Sequence, residues 1–502
     1  MKYLSVLPSL VIFLAFCPAQ AQQKREPNDS IPKPVHVQTH HSAKIGVALV
    51  NYTATVGTLI LQDEEGKPIT SFGYTAYTKE GEADLSKRPV TFSFNGGPGS
   101  SSMWLHMGAL GPRRVALDDP NSKPSPPYQL VDNPYSIIDV TDLVMIDPVG
   151  TGVSKAVGKS KNSDFWGVNQ DIKSVSQFIK AYIKKNDRWN SPKFLLGESY
   201  GTTRSAGIVD YLQERTGIAM NGVILVSTVL TFNTLLFAAD NDLPYIAFLP
   251  TYAAVAYYHN QLPKKPADLK QFIKEARSFA GGAYKDALFT AGALPAEVRK
   301  EILSRLHHFT GLSELYWDRA NLRVSEPQFT QELMRQEGKT TGRLDARYSG
   351  ITQNLLSESA DFDPQSAAIS PPYTALFMHY YHTELKAPEE LDYHVSAYGA
   401  TGFKWDWKRS DEWGGMGSVN TAVDLQDAMT KNPQLKVLVM NGYYDLATPF
   451  FGTEYTFDHM NMPDNIRKNV EMKYYEAGHM MYIEKESLPQ FKADISRFIL
   501  SP

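Results

Sequence analysis

Cysteine is all but missing from this chain: its 502 residues hold one, Cys17. One cysteine excludes an intramolecular disulfide and leaves no ligand set for a thiolate metal cluster. Long apolar runs are also scarce. Leu4 to Cys17 is nearly all apolar. Nothing after it approaches the ~18 uninterrupted apolar residues of a membrane helix. Positive charge is not in excess, since 50 Lys and Arg face 54 Asp and Glu for a formal net charge of −4. That balance leaves no basic footprint for nucleic acid. Length is not lacking, and 502 residues suffice for a core held without cross-links.

The single apolar run has its own meaning. Lys2 precedes it and Ala19-Gln20-Ala21 follows it, which is the order of a secretory signal. The run is shorter than the ~20 residues of a bilayer span. The reading is a signal peptide over 1–21, cut near Ala21, and a mature chain in the periplasm or outside the cell. The cut removes Cys17, and with it any thiol nucleophile.

Residues 22–43 are polar and carry Pro27, Pro32 and Pro34, so a flexible leader is expected there. The texture then turns to short β-like runs at 46–50, 57–61 and 71–77, an antiparallel opening to a sheet. Largely apolar runs follow at 89–94, 143–146, 194–196, 223–226 and 437–440, with helical stretches such as 171–184 between some of them. Strands buried on both faces read this way, so the fold expected is α/β with a mostly parallel, doubly covered sheet. Its core spans 44–232 and 425–502. Between them, over 233–424, the strand rhythm stops, and helical patterns at 269–280 and 295–308 predict a helical cap insertion.

Gly197-Glu198-Ser199-Tyr200-Gly201 follows one of the apolar strands and opens a helix. A serine on a tight strand-to-helix turn projects its hydroxyl above the sheet, and that is how the α/β-hydrolase fold presents its nucleophile. The acid and the histidine should follow in that order. Asp445 after the strand at 437–440 and His479 after 470–475 satisfy it. Ser199, Asp445 and His479 are therefore the expected triad: nucleophile, orienting acid and general base. Asn95-Gly96-Gly97-Pro98-Gly99 is the first glycine-rich strand end. The N–H groups of Gly97 and Tyr200 are placed to hold an oxyanion. No Gly-Lys-Ser/Thr follows that loop, which excludes a phosphate loop there. His40-His41 are adjacent in the leader and do not make a metal site. The chemistry needs neither metal nor cofactor.

These segments together resemble the serine carboxypeptidase family, the relatives of yeast carboxypeptidase Y. The shared pieces are Asn95 to Ser102, Gly197 to Gly201, Asp445, Gly478-His479-Met480 and the stretch Asp147 to Ser154. The lack of disulfides marks a bacterial-type member. The resemblance implies removal of C-terminal residues from peptides with a free C-terminus. It implies a substrate-carboxylate site at Asn95, Gly96 and Glu198, and Met480 in the leaving-group pocket.

One position departs from the family. A second glutamate is expected where this chain has Ala109, so half of an acid pair is missing. Arg113, Arg114 and His106 are the nearby groups that could meet a carboxylate instead. The departure keeps an esterase, an amidase or an acyltransferase on the same scaffold as the alternative. The aromatic segment with Trp405, Trp407 and Trp413 either shapes a side-chain pocket or is simply core.

Overall fold

The computed structural model describes residues 31–117, 120, 124–409 and 418–501. The expected signal peptide, Cys17 and Trp413 lie outside the described residues. Nine strands form the main path of the sheet: β1 (His36–Ile45), β2 (Ala48–Gln62), β3 (Pro68–Lys79), β4 (Val90–Phe94), β5 (Asp142–Ile146), β6 (Lys193–Glu198), β7 (Gly222–Val226), β8 (Lys436–Gly442) and β9 (Val470–Tyr475). Their spatial order is β1-β2-β3-β5-β4-β6-β7-β8-β9, with the short strand Lys155–Ala156 added beside β3. β1 to β3 and the β3–β5 pair are antiparallel. Every pair from β5 to β9 is parallel. This is the α/β-hydrolase arrangement expected from the strand texture.

The doubly covered sheet shows in the side chains. Successive strand residues point to opposite faces. Leu196, Ile224 and Leu438 enter one core cluster, while Leu195, Val223, Leu225 and Val437 enter the other. Helices α1 (Val168–Lys185) and α2 (Tyr200–Thr216) cover the second face. In α1, Val168, Ile172, Val175, Ile179 and Ile183 are all buried. That spacing of three or four is the apolar stripe of a core-facing helix.

The expected leader is in part a strand: β1 begins within it at His36 and pairs along its whole length with β2, while Gly46–Val47 is the turn between them. The alternation was hidden because β1 is an edge strand with one wet face. Val37, Thr39, His41, Ala43 and Ile45 turn inward and their neighbours are exposed. A polar half-strand reads as a leader when only apolar runs are sought. His41 stacks on Tyr52, and His40 pairs with Glu80 at 2.7 Å.

The insertion has its own core. Helices α3 (Leu243–Tyr258), α4 (Leu269–Phe279) and α5 (Ala296–Thr310) pack around Tyr252, Phe272, Phe309 and Trp317. That cluster also takes in Tyr443, Tyr444 and Phe450, the residues flanking Asp445. Helix α6 (Pro364–Thr383) instead buries Tyr373 and Phe377 on the first face of the sheet. The final helix, α7 (Leu488–Leu500), lies on that face too. Among the described residues no helix is long and apolar enough to cross a membrane.

Candidate active site

Asn95, Ser199, Asp445 and His479 each stand at or just past the carboxyl end of a parallel strand: β4, β6, β8 and β9. Ligands bind at that edge of such sheets. Ser199 has φ 60° and ψ −129°, a left-handed backbone that costs a non-glycine residue about 1–3 kcal/mol. The turn is held by Ser199 N–H donating to the Val226 carbonyl at 2.9 Å and by the start of α2 at Tyr200. It closes only because its neighbours are small. A Cβ on Gly197 would sit 2.2 Å from the Gly201 carbonyl oxygen, and one on Gly96 would sit 2.5 Å from the Tyr200 nitrogen. Two backbones therefore meet beside the serine, with the Tyr200 N–H at the positive end of α2.

His479 Nδ1 lies 2.8 Å from Asp445 Oδ2. The Asp445 carboxylate also accepts from the N–H groups of Ala447 and Thr448 and from the Thr448 hydroxyl. Four donors fix its orientation, and Asp445 and His479 are both buried. Burial works to lower the His479 pKa, yet the Asp445 carboxylate, aided by Glu198, carries it above the usual value. Ser199 and His479 line one cleft of about 290 Å³, together with Asn95, Gly96, Gly97, Glu198 and Met480. Tyr200 is buried behind the elbow, its ring edge-on to Trp405 and Trp407. Those two tryptophans pack against Tyr200 and do not line the cleft.

Glu198 is buried, and Asn95 Nδ2 donates to its Oε1 at 2.9 Å. Burial pushes its carboxyl up to about 7 against the opposing pull of His479, Tyr482 and Asn95. Below that pH it is a neutral acid that can donate to a carboxylate. Asn95 is fixed in turn: Leu105 N–H donates to its side-chain oxygen, and Arg204 donates to its carbonyl at 2.7 Å. Arg204 is itself buried and paired with Asp171 at 2.7 Å. Asp147 ties the far end of the glycine loop, accepting from Ser102 N–H at 2.8 Å and from the Tyr393 hydroxyl at 3.0 Å.

Ala109 is buried and its carbonyl accepts from Asn133, but it is not among the residues that line the cleft. None of the three substitutes considered from the sequence reaches the cleft. His106 is buried against the Tyr77 hydroxyl at 2.6 Å, and burial holds its pKa down to about 3. Arg113 pairs with Asp132 and Glu384, and Arg114 is not among the lining residues. Two other side chains approach instead. The Tyr482 hydroxyl lies close enough to Glu198 to shift its titration, without closing a hydrogen bond of ordinary geometry. Arg343, from the insertion, lines the cleft. Neither carries a local motif, so neither was legible in the sequence. Elsewhere, the carboxylates of Asp210, Glu214 and Asp427 lie within 4.8 Å of one another. Lys431 pairs with two of them.

The model of the serine carboxypeptidase family matches residues 70–488. Two curated Arabidopsis thaliana proteins, serine carboxypeptidase-like 20 and 21, are 36% and 35% identical to this chain over 129 residues. Each match covers 25% of this chain and 24% of the relative, so the chain spans about a quarter of the length of the curated relatives it matches. Among solved structures, Kex1(delta)p, a prohormone-processing carboxypeptidase from Saccharomyces cerevisiae, is similar in fold with a TM-score of 0.54. That match has 16% identity and covers 89% of this chain and 91% of that one.

Proposed function

Since this chain belongs to the serine carboxypeptidase family, we propose that it is an exported, bacterial-type serine carboxypeptidase releasing C-terminal residues from peptides. Ser199, His479 and Asp445 form its triad. The observation that carries this reading is Glu198: a buried acid, neutral below about pH 7, held by Asn95 beside the nucleophile. A neutral carboxyl next to an attacking serine suits a substrate whose own carboxylate lies next to the scissile bond. Asn95, Gly96 and Glu198 hold that terminal carboxylate.

Ser199 Oγ attacks the last peptide carbonyl and its proton passes to His479. The oxyanion faces the N–H groups of Gly97 and Tyr200. His479 returns the proton to the departing amine, which leaves past Met480 with its free carboxylate. Water, deprotonated by His479, then releases the acyl group from Ser199. Asp445 keeps Nδ1 protonated and steadies the imidazolium.

The test is a set of peptides with free and amidated C-termini, incubated with wild-type enzyme and with Ser199→Ala across pH and read by mass. Stepwise loss from free-acid peptides is expected, with amidated ones weakly cleaved and Ser199→Ala inactive, a loss on the order of 10⁵-fold or more. Equal cleavage of amidated peptides sinks the exopeptidase reading. Ala109 favours a second reading, an esterase, amidase or acyltransferase. Ester turnover with no amino acid released would establish it.

A further inference from the structure

We propose that Arg343 selects peptides whose last residue is acidic, by pairing with the carboxylate of the departing Asp or Glu side chain. The inference rests on the carboxypeptidase reading above.

Arg343 sits in the loop of a small hairpin, Lys339–Thr341 paired with Ser349–Ile351. The loop is tied to both triad loops. His479 N–H donates to the Leu344 carbonyl at 2.7 Å, Leu446 N–H to the Arg343 carbonyl at 3.0 Å, and Ala346 N–H to the Tyr444 carbonyl at 3.0 Å. The approach is so close that a Cβ on Gly478 would lie 2.4 Å from the Asp345 side chain. The backbone of Arg343 is thus placed relative to His479 by direct hydrogen bonds.

Two arginines on this loop have different fates. Arg347 is buried and locked by Asp345 at 2.6 Å and by Glu484 at 2.5 Å. The Arg343 side chain is 54% exposed, and its ion pair, with Glu326, is long at 3.9 Å. Glu326 is itself weak as a counter-charge, since burial pushes its carboxyl up to about 7. Asp363 lies close by, but its carboxylate already accepts from the N–H groups of Arg343, Leu344 and Ser366. A guanidinium held this way retains its capacity for a bidentate carboxylate partner.

The surroundings say which carboxylate. Arg343 lines the cleft beside Leu344, whose carbonyl accepts from His479 N–H at 2.7 Å, and its charge acts on His479 and on Tyr398. Its loop therefore stands on the histidine side of the cleft, where the leaving residue departs. Trp104, Ile369 and Met480 supply apolar wall for a methylene stem, and Ser366 and Ser370 add hydroxyls. With Glu198 neutral below about pH 7, an anionic side chain meets the Arg343 guanidinium and no ionised carboxylate among the residues lining this cleft.

The experiment measures kcat/KM at pH 6 on peptides identical except for a last residue of Glu, Gln, Leu or Lys. It uses wild-type enzyme, Arg343→Gln, Arg343→Lys and Arg343→Glu. Wild type should favour Glu over Gln by about tenfold, the scale of one charge-assisted contact. Arg343→Gln should bring that ratio near one, Arg343→Lys should restore part of it, and Arg343→Glu should shift preference to Lys. A Glu-to-Gln ratio that Arg343→Gln leaves intact, with the Leu peptide still trimmed, overturns this inference alone. So does an equal loss on all four peptides in folded variants. Failure of the wild type to trim any of the four overturns the carboxypeptidase reading itself.

Discussion

The two walls of the cleft are built by different rules. One wall is made of strand ends: Asn95 after β4, Glu198 and Ser199 at the end of β6, Asp445 after β8, His479 after β9. Asn95, Glu198, Asp445 and His479 are buried and hydrogen-bonded to one another or to fixed backbone. The other wall comes from the insertion: a hairpin loop with Arg343, helix α6 with Ser366, Ile369 and Ser370, and the segment around Tyr398. Several of its side chains are partly or largely exposed. The strand wall places reacting atoms, which tolerate little displacement. On the carboxypeptidase reading proposed above, the insertion wall meets the variable part of the substrate, where a changed side chain would alter preference without moving the serine.

The sharpest way to break the comparison is Asp445→Asn. The amide keeps an oxygen for Ala447 and Thr448 but reverses the preferred His479 tautomer. A fall in kcat of roughly 10⁴-fold is expected, with the far-ultraviolet spectrum unchanged. Single-turnover release of a C-terminal residue, followed by mass, would measure it. A loss below about tenfold would mean that the strand wall is no more exacting than the insertion wall.

The same division decides what the sequence revealed. Residues of the strand wall stand in short local patterns, because a strand end, a tight turn and a helix start constrain neighbouring positions together. Gly197 is needed where Gly201 approaches, so nucleophile and glycines travel as one motif. The α/β sheet was legible for a similar reason: strands buried on both faces are largely apolar. Arg343 meets the site from a distant segment, and nothing beside it in the chain marks the meeting; Tyr482 follows His479 closely in the chain, but its turn toward Glu198 is set by the fold and not by a motif. The edge strand β1 was missed because only alternate residues are covered. Which side chain comes near Glu198 was not legible either.

Glu198 tests the strand wall away from the triad, since on the proposed reading it meets the substrate's terminal carboxylate and not the reacting carbonyl. Its carboxyl is raised to about 7. It is neutral and able to donate below that pH, and becomes a repelling carboxylate above it. At pH 8 about nine in ten sites would be ionised. For free-acid peptides, ionisation of Glu198 alone should therefore lower kcat/KM about tenfold between pH 6 and pH 8, offset in part as His479, whose pKa is raised, gives up its proton with rising pH. Glu198→Gln retains a donor that does not titrate, so its alkaline decline should flatten. The acid limb, where His479 gains its proton, should remain in both enzymes. A pH profile of kcat/KM for both proteins decides it, and an alkaline limb that persists in Glu198→Gln assigns the titration to another group.

Tyr482→Phe gives the smallest expected effect and the finest test. Tyr482 and the unbonded Oε2 of Glu198 are both buried, and the phenol helps hold the Glu198 pKa down. It acts on the substrate only through Glu198. Losing one hydroxyl contact is worth about 1 kcal/mol, so kcat/KM at pH 5 should fall about fivefold. Direction matters more than size. Without the phenol, ionised Glu198 loses a stabilising neighbour, its pKa rises, and the alkaline limb should move to higher pH. A merely structural role for Tyr482 would lower activity at every pH and leave that limb where it was. A shift to lower pH would contradict the placement of the phenol beside Glu198. A shift to higher pH would show that an uncharged hydroxyl tunes the lone acid where the family has a pair.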